Sequence, residues 1–202
     1  MRSLLVETRT FSVPQMLTEA RKAPNGNPLV EGILATVEIK NGNGRYYAKE
    51  LWERELKKYM ELVREHRALG ELDHPDSQII NLKNVSHNIS KIWWNGDNVM
   101  GEIEILPTPS GNILRALIEN NIKVGVSSRG MGSLKQVGEV LEVQDDFELL
   151  CFDFVSTPSN PGSWMRPVGT INEVLSSPIN PYHKVNSIIT DILCSNGTCP
   201  IF

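Results

Sequence analysis

The period of apolar and polar positions changes several times along this chain, and each change predicts an element. Residues 3–8 (Ser-Leu-Leu-Val-Glu-Thr) read as a short strand, and 14–22, opening at Pro14, as a short helix or loop. Asn25-Gly26-Asn27-Pro28 is a turn. From Leu29 to Lys40, β-branched residues and the alternation Ile33, Ala35, Val37, Ile39 predict a strand, which Asn41-Gly42-Asn43-Gly44 ends. The period then lengthens. Trp52, Leu56, Tyr59, Met60 and Val63 form one apolar stripe of a helix over 47–66. Its other face, with Glu53, Glu55, Lys57, Lys58, Glu61 and Arg64, reads as solvated, and Gly70 ends the unit.

Alternation returns at 84–94 and ends in Trp93-Trp94. Asn95-Gly96-Asp97-Asn98 predicts a hairpin turn into a strand over Val99–Leu106. Past Pro107, Ser110 reads as the N-cap of a helix to Asn120 that buries Ile113, Leu114, Leu117 and Ile118. Lys123–Ser128, 139–143 and 147–155 are further strands, and 156–162 is a turn. After Trp164 the pattern weakens. Thr170–Leu175 is at most a helical turn, Ser176–Pro181 a linker, and the rest carries no strong signal. The elements sum to an α+β domain, a mainly antiparallel core of six or seven strands, barrel or sandwich, flanked by helices.

Composition narrows the options. With 202 residues the chain can bury its own core, and its net charge of -4 gives no electrostatic case for nucleic acid or an anionic membrane. There is no apolar run of ~18 residues for a membrane span, and Glu7 and Arg9 interrupt any signal-peptide core. The three cysteines, Cys151, Cys194 and Cys199, suit neither a disulfide framework nor a zinc site. A pairing of Cys194 with Cys199 stays open, against a reducing cytoplasm as the default. Nothing reads as a metal site, a P-loop or a dinucleotide fingerprint, so neither metal nor cofactor is expected.

The stretch Val124-Gly125-Val126-Ser127-Ser128-Arg129-Gly130 combines small residues, two hydroxyls and a cation. Its serines read as turn hydroxyls or as nucleophile candidates. Gly125 and Gly130 would let backbone N–H groups approach a ligand, as an oxyanion hole requires. Arg129 stands where a hydrolase elbow would have glycine, which disfavours that family. A serine nucleophile needs a base, and the base needs an orienting group. Of the four histidines, His66 ends the charged helix, His183 lies in the weak tail, and His87 sits mid-strand as a structural residue would. His74 lies on a loop in Gly70-Glu71-Leu72-Asp73-His74-Pro75-Asp76 and reads as a base or as a surface residue. Asp153, between aromatics in Cys151-Phe152-Asp153-Phe154-Val155, is an edge carboxylate in water or an inward one that needs a partner. Glu148 and Glu71 are weaker candidates for the orienting group.

Four ordered blocks carry a family resemblance: Gly-Glu-Leu-Asp-His-Pro at 70–75, Trp93-Trp94 with its Gly-Asp turn, Gly-Val-Ser-Ser-Arg-Gly-Met-Gly-Ser-Leu at 125–134, and Asp153-x-Val155-x-x-Pro158-Ser159 followed by Trp164. Spanning roughly 29–168, they resemble the prohead, or capsid-maturation, serine proteases of tailed bacteriophages, most nearly the myovirus type. The resemblance implies a herpesvirus-assemblin-like β-barrel wrapped by helices. It also implies a serine endopeptidase acting inside the prohead, within the host cytoplasm, on scaffold, core, capsid and internal proteins and then on itself. By position, His74 is the base, Ser127 the nucleophile, and Ser128, Arg129 and Gly130 the oxyanion or supporting positions. Relatives in other branches place a glutamate in the strand that here carries Asp153, so Asp153 is expected as the third member. The herpesvirus enzymes use a second histidine; His87 is the fallback, although it precedes the serine rather than following it.

The resemblance also implies cleavage after Glu with Ile or Leu two residues before it. The sites of this kind include those ending at Glu31, Glu119 and Glu173. The first two fall in a predicted strand and helix. Glu173 sits at the edge of the weak tail, and self-processing is expected to start after it and shed the tail; the protease domain is expected over 1–175 and the removable tail over 176–202. Arg129, Lys123 and Arg166 are candidates for a basic pocket that receives the glutamate. A homo-oligomer is expected, with no nucleic acid or membrane partner, and residues 1–28 or 176–202 are candidates for a latency segment. The competing reading is an inactive capsid-assembly or scaffold-associated protein with the same fold.

Overall fold

The structure is a computed structural model that describes residues 3–7, 21–75, 77–156, 163 and 165–167. The chain divides into the units Met1–Thr170 and Ile171–Phe202. The second unit lies outside the described residues, and with it the expected boundary at 175, the tail, Glu173, His183, Cys194 and Cys199. So do most of the expected element at 14–22, Trp164 and the turn over 157–162.

The described residues form eleven strands and two helices. In order these are β1 (Ser3–Glu7), β2 (Leu29–Thr36), β3 (Arg45–Tyr46), α1 (Lys49–Arg64), β4 (Leu69–Glu71), β5 (Val85–Asn95), β6 (Asn98–Ile105), α2 (Pro109–Glu119), β7 (Gly125–Gly132), β8 (Leu134–Val137), β9 (Val140–Val143), β10 (Glu148–Val155) and β11 (Arg166–Pro167). The fold is mixed α+β with mostly antiparallel sheets. One sheet has the order β11-β2-β6-β5-β4, a second β1-β7-β10, and a small third one β3-β9-β8. The β5–β6 hairpin forms where its turn residues predict, with Gly96 at φ 61°.

The expected closed barrel is not found among the described residues, whose ladders stop at sheet edges. The two larger sheets nonetheless meet at two seams. At one, Leu72 bridges Phe154 in parallel and the Asp73 N–H donates to the Phe154 carbonyl at 2.8 Å. At the other, the Val126 N–H donates to the Ser163 carbonyl at 2.6 Å and the Met165 N–H to that of Val124 at 3.4 Å.

A sixteen-residue helix is marginal alone, so tertiary packing holds α1. Trp52, Leu56 and Tyr59 are buried as expected. Trp52 stacks near Phe152 with centroids 6.0 Å apart, and Tyr59 meets the same ring edge-on at 5.4 Å. Each such aromatic contributes about 3–5 kcal/mol against truncation to alanine.

Several details differ from the expectation. Glu55 is not on a solvated face: it is 3% exposed and accepts the Leu149 N–H at 3.1 Å and the Lys58 ammonium at 2.8 Å. Burial pushes its pKa up, but the bonds from Lys58, Arg54 and Leu149 prevail and hold the carboxyl below its ordinary value. The cap of α2 is Thr108, whose hydroxyl accepts the Gly111 N–H at 3.0 Å, not Ser110. Pro109 explains the shift, since its fixed φ and missing N–H suit the first helical position and so make the residue before it the cap. Ile113 is exposed. Gly70 lies within β4 rather than ending a helix. A Cβ there would stand 2.0 Å from the Phe152 carbonyl oxygen and 2.3 Å from the His87 ring, so only glycine admits that approach. Finally, β7 continues to Gly132, which puts Ser127 inside a strand rather than at its end.

Candidate active site

Strand alternation sorts the residues of β7 and β10. Side chains two apart share a face, so Ser127 and Arg129 point one way and Ser128 and Gly130 the other. In register, Asp153 stands opposite Ser127 and Cys151 opposite Arg129. One face of the pair thus carries a two-by-two block of Ser127, Asp153, Arg129 and Cys151. Residues directly opposite have Cβ atoms about 4.5–5.5 Å apart.

His74 fills the position between the serine and the aspartate. Its Nε2 lies 2.7 Å from Ser127 Oγ and its Nδ1 2.8 Å from Asp153 Oδ2. An ionised carboxylate only accepts, so Nδ1 carries the proton and the Nε2 lone pair faces the serine hydroxyl. The backbone delivers the ring there. Leu72 donates its N–H to the Asn84 carbonyl at 3.1 Å, and Asp73 pairs with Phe154 as described. Asp73 then turns at φ 68°, a left-handed conformation that Asp tolerates, and Pro75 keeps His74 out of helix. His74 has 12% of its side chain exposed, whereas Ser127 has no exposed surface.

Asp153 is fully buried. Burial pushes its carboxyl up, but the hydrogen bond from His74, the Arg129 guanidinium and the Glu71 N–H outweigh this and hold it below the usual carboxylate range. That N–H donates to Oδ1 at 2.9 Å. Arg129 Nε lies 2.9 Å from Oδ2, and Nη2 lies 3.2 Å from Oδ1 and 2.6 Å from Glu71 Oε2. Nη1 donates to the Ser77 carbonyl at 2.8 Å. Arg129 therefore lies behind the aspartate with its nitrogens engaged, and does not form the basic pocket for which it was a candidate. Lys123 is exposed just before β7, and the Arg166 side chain is outside the described residues.

The oxyanion expectation fares differently from residue to residue. Ser128 and Gly130 lie where β7 is paired on both sides, opposite Glu7 and Leu5 of β1 and opposite Phe152 and Leu149 of β10. A Cβ on Gly130 would stand 2.6 Å from the Phe147 ring, so this glycine serves close packing. Gly125 lies at the start of β7, beyond the reach of β1.

The structure does not bring His87 to the serine. Its Nε2 faces the Phe152 carbonyl at 3.0 Å and its Nδ1 the Ser86 hydroxyl at 2.8 Å. Burial, against smaller opposing effects of Asp153 and the Phe152 carbonyl, depresses its pKa to about 4. It is a neutral, satisfied core residue, so the fallback for the third member fails on geometry. His66 is exposed just past α1, and Glu148 is exposed at the start of β10. Cys151 was not among the expected site residues; Arg129 takes the supporting position expected of it rather than the basic pocket, and Glu71 supports Asp153 and Arg129 rather than orienting His74 itself. Strand alternation was the signal that could have found the first two, each two residues from a site residue.

Three comparisons bear on this geometry. A family described as prohead core protein serine protease matches residues 14–174. The prohead core protein protease of Enterobacteria phage T4 is 36% identical over 143 residues, 68% of each chain. The solved structure of the bacteriophage T4 capsid assembly protease superposes with a TM-score of 0.69 at 30% identity, covering 78% of this chain and 99% of that one.

Proposed function

The chain belongs to the prohead core protein serine protease family, and from that premise we propose that it is a serine endopeptidase with Ser127 as nucleophile, His74 as base and Asp153 as its orienting group. The observation that carries this reading is the continuous chain Ser127 Oγ to His74 Nε2 at 2.7 Å and His74 Nδ1 to Asp153 Oδ2 at 2.8 Å. His74 takes the Ser127 proton as Oγ attacks the scissile carbonyl carbon. The tetrahedral intermediate collapses, the C–N bond breaks, and His74 hands the proton to the leaving amine. Water, deprotonated by the same ring, then releases the acyl group. Asp153 holds the imidazole in the required tautomer and stabilises the imidazolium. With Ser127 wholly covered, a peptide reaches Oγ only when its surroundings open, which suits an enzyme held latent before assembly.

The substrates we propose are scaffold, core and capsid proteins in the prohead, cut after Glu in (Ile/Leu)-x-Glu, with self-processing after Glu173 releasing residues 174–202 and with them the tail. In keeping with this, Glu31 lies in β2 and Glu119 ends α2, where backbone pairing protects both. The two seams between the larger sheets favour an assemblin-like barrel, and a homo-oligomer fits a prohead enzyme.

The test compares wild type and Ser127→Ala on a peptide containing Leu-x-Glu, with mass spectrometry of the chain itself. Cleavage after Glu by wild type alone is the expected result. Equal cleavage by both removes Ser127 as nucleophile. Cleavage by neither, even with assembled prohead proteins present, favours an inactive assembly protein.

A further inference from the structure

We propose that Arg129 and Glu71 are positioning residues, a buried ionic bracket that keeps Asp153 anionic and aims it at His74. The inference rests on the serine-protease reading and extends it to residues that do not touch the substrate.

Asp153, Glu71 and Arg129 are each 1% exposed or less. Two carboxylates enclosed together cannot both stay ionised without a cation, because one takes up a proton. Arg129 is that cation. Its fork reaches both partners at once, through Nη2 to Glu71 Oε2 at 2.6 Å and through Nε to Asp153 Oδ2 at 2.9 Å. The other Glu71 oxygen accepts the Asn81 N–H at 2.8 Å, and the Glu71 N–H fixes Asp153 Oδ1 at 2.9 Å. One residue of β4 thus supplies a charge to the arginine and an amide to the aspartate.

The charge balance is the functional point. Two carboxylates and one guanidinium leave one net negative charge beside His74, which complements the imidazolium formed during the reaction. Without Arg129 the pair would carry two negative charges until it bound a proton. An Asp153 that shared this proton could donate to His74 and hold the wrong tautomer. Lysine is no substitute, since a point charge cannot span both partners as a planar fork does. The other titratable groups facing Asp153 are His74, Cys151 on β10, His87 on β5 and Tyr59 on α1. Burial keeps the last three uncharged at neutral pH.

The experiment pairs kinetics with NMR. In active protein, Arg129→Met is expected to lower kcat/KM by about 10²-fold or more near pH 7, with the acid limb of the pH profile moved to higher pH. Adding Glu71→Gln removes the competing carboxylate and should recover part of that loss. In a Ser127→Ala background, which removes turnover, the low-field His74 Nδ1–H signal should be present. It should disappear at pH 7 with Arg129→Met and return when Glu71→Gln is added. An unmoved acid limb with a retained signal overturns the proposal. Should Arg129→Met not fold, Arg129→Lys decides: a kcat about tenfold lower at unchanged KM supports the bracket, and a wild-type kcat overturns it. If Ser127→Ala cleaves as wild type does, the serine-protease reading fails, while the NMR comparison still reports on the bracket.

Discussion

The two faces of the β7–β10 pair are built from the same short stretches of chain and do opposite things. One face sets Ser127 and Arg129 against Asp153 and Cys151. The other sets Ser128 and Gly130 against Phe152 and the Phe147 ring, under Trp52 and Tyr59 of α1. The polar face is enclosed as fully as the aromatic one, but hydrogen bonds and ion pairs hold it together rather than apolar contact. Its position is specified by direction: Arg129, Glu71 and His74 each have one geometry that satisfies them, whereas an aromatic core tolerates repacking. The two histidines divide the same way. His74 sits at the edge of the polar face with its Nε2 turned to a hydroxyl, and His87 sits in the core with both nitrogens spent.

The comparison breaks most clearly at the two adjacent serines. Ser127→Ala is expected to lower kcat by about 10⁶-fold, while Ser128→Ala, on the other face, should stay within about tenfold of wild type. Similar losses in both variants would mean that the faces are not separate. Next, Asp153→Asn should reduce kcat by about 10⁴-fold with the fold intact, because an amide no longer enforces the His74 tautomer; steady-state kinetics beside circular dichroism measure this.

On the aromatic side the effects appear in stability. Gly70→Ala forces a Cβ against the Phe152 carbonyl and the His87 ring. Urea unfolding should show a loss of about 3 kcal/mol. His87 makes stability depend on pH. The folded protein holds it near 4 and the unfolded chain near 6.5, so the unfolded chain binds the proton first as pH falls. The contribution is complete above pH 6.5, declines between 6.5 and about 4, and amounts to about 3 kcal/mol. In the difference between wild-type and His87→Gln unfolding curves across that window, a flat line would remove His87 as the cause. The smallest effect belongs to neither face: Arg115→Ala breaks an exposed pair with Glu119 on α2 and should cost about 0.3–0.5 kcal/mol.

Much of the fold is legible in the sequence, for local reasons. The stripe of α1 and the Asn-Gly-Asp-Asn hairpin announce themselves because helix period and turn chemistry act over a few residues. β3, β4, β8 and β11 do not, because two to four residues hold at most one or two alternations; among strands this short, only β9, with apolar Val140, Leu141 and Val143, was read. The burial of Glu55 was invisible for another reason: the Leu149 N–H that it satisfies is remote in sequence. The same limit applied at the site. The residues named Ser127, His74 and Asp153 as chemically able, and the resemblance selected them, but neither carried a distance.

The sequence by itself determined the alternation that sends Ser127 and Ser128 to opposite faces, the helix and hairpin that flank the core, and the proline that keeps His74 off a helix. Only the tertiary structure decided that β10 lies beside β7 in the register opposing Asp153 to Ser127. It alone turned Arg129 from a candidate for the substrate pocket into the partner of two buried carboxylates. The reason is physical. Period and turn type are properties of neighbouring residues, whereas strand register and the pairing of buried charges are settled by the free energy of the whole core, where a carboxylate removed from water must find its cation wherever the fold brings one.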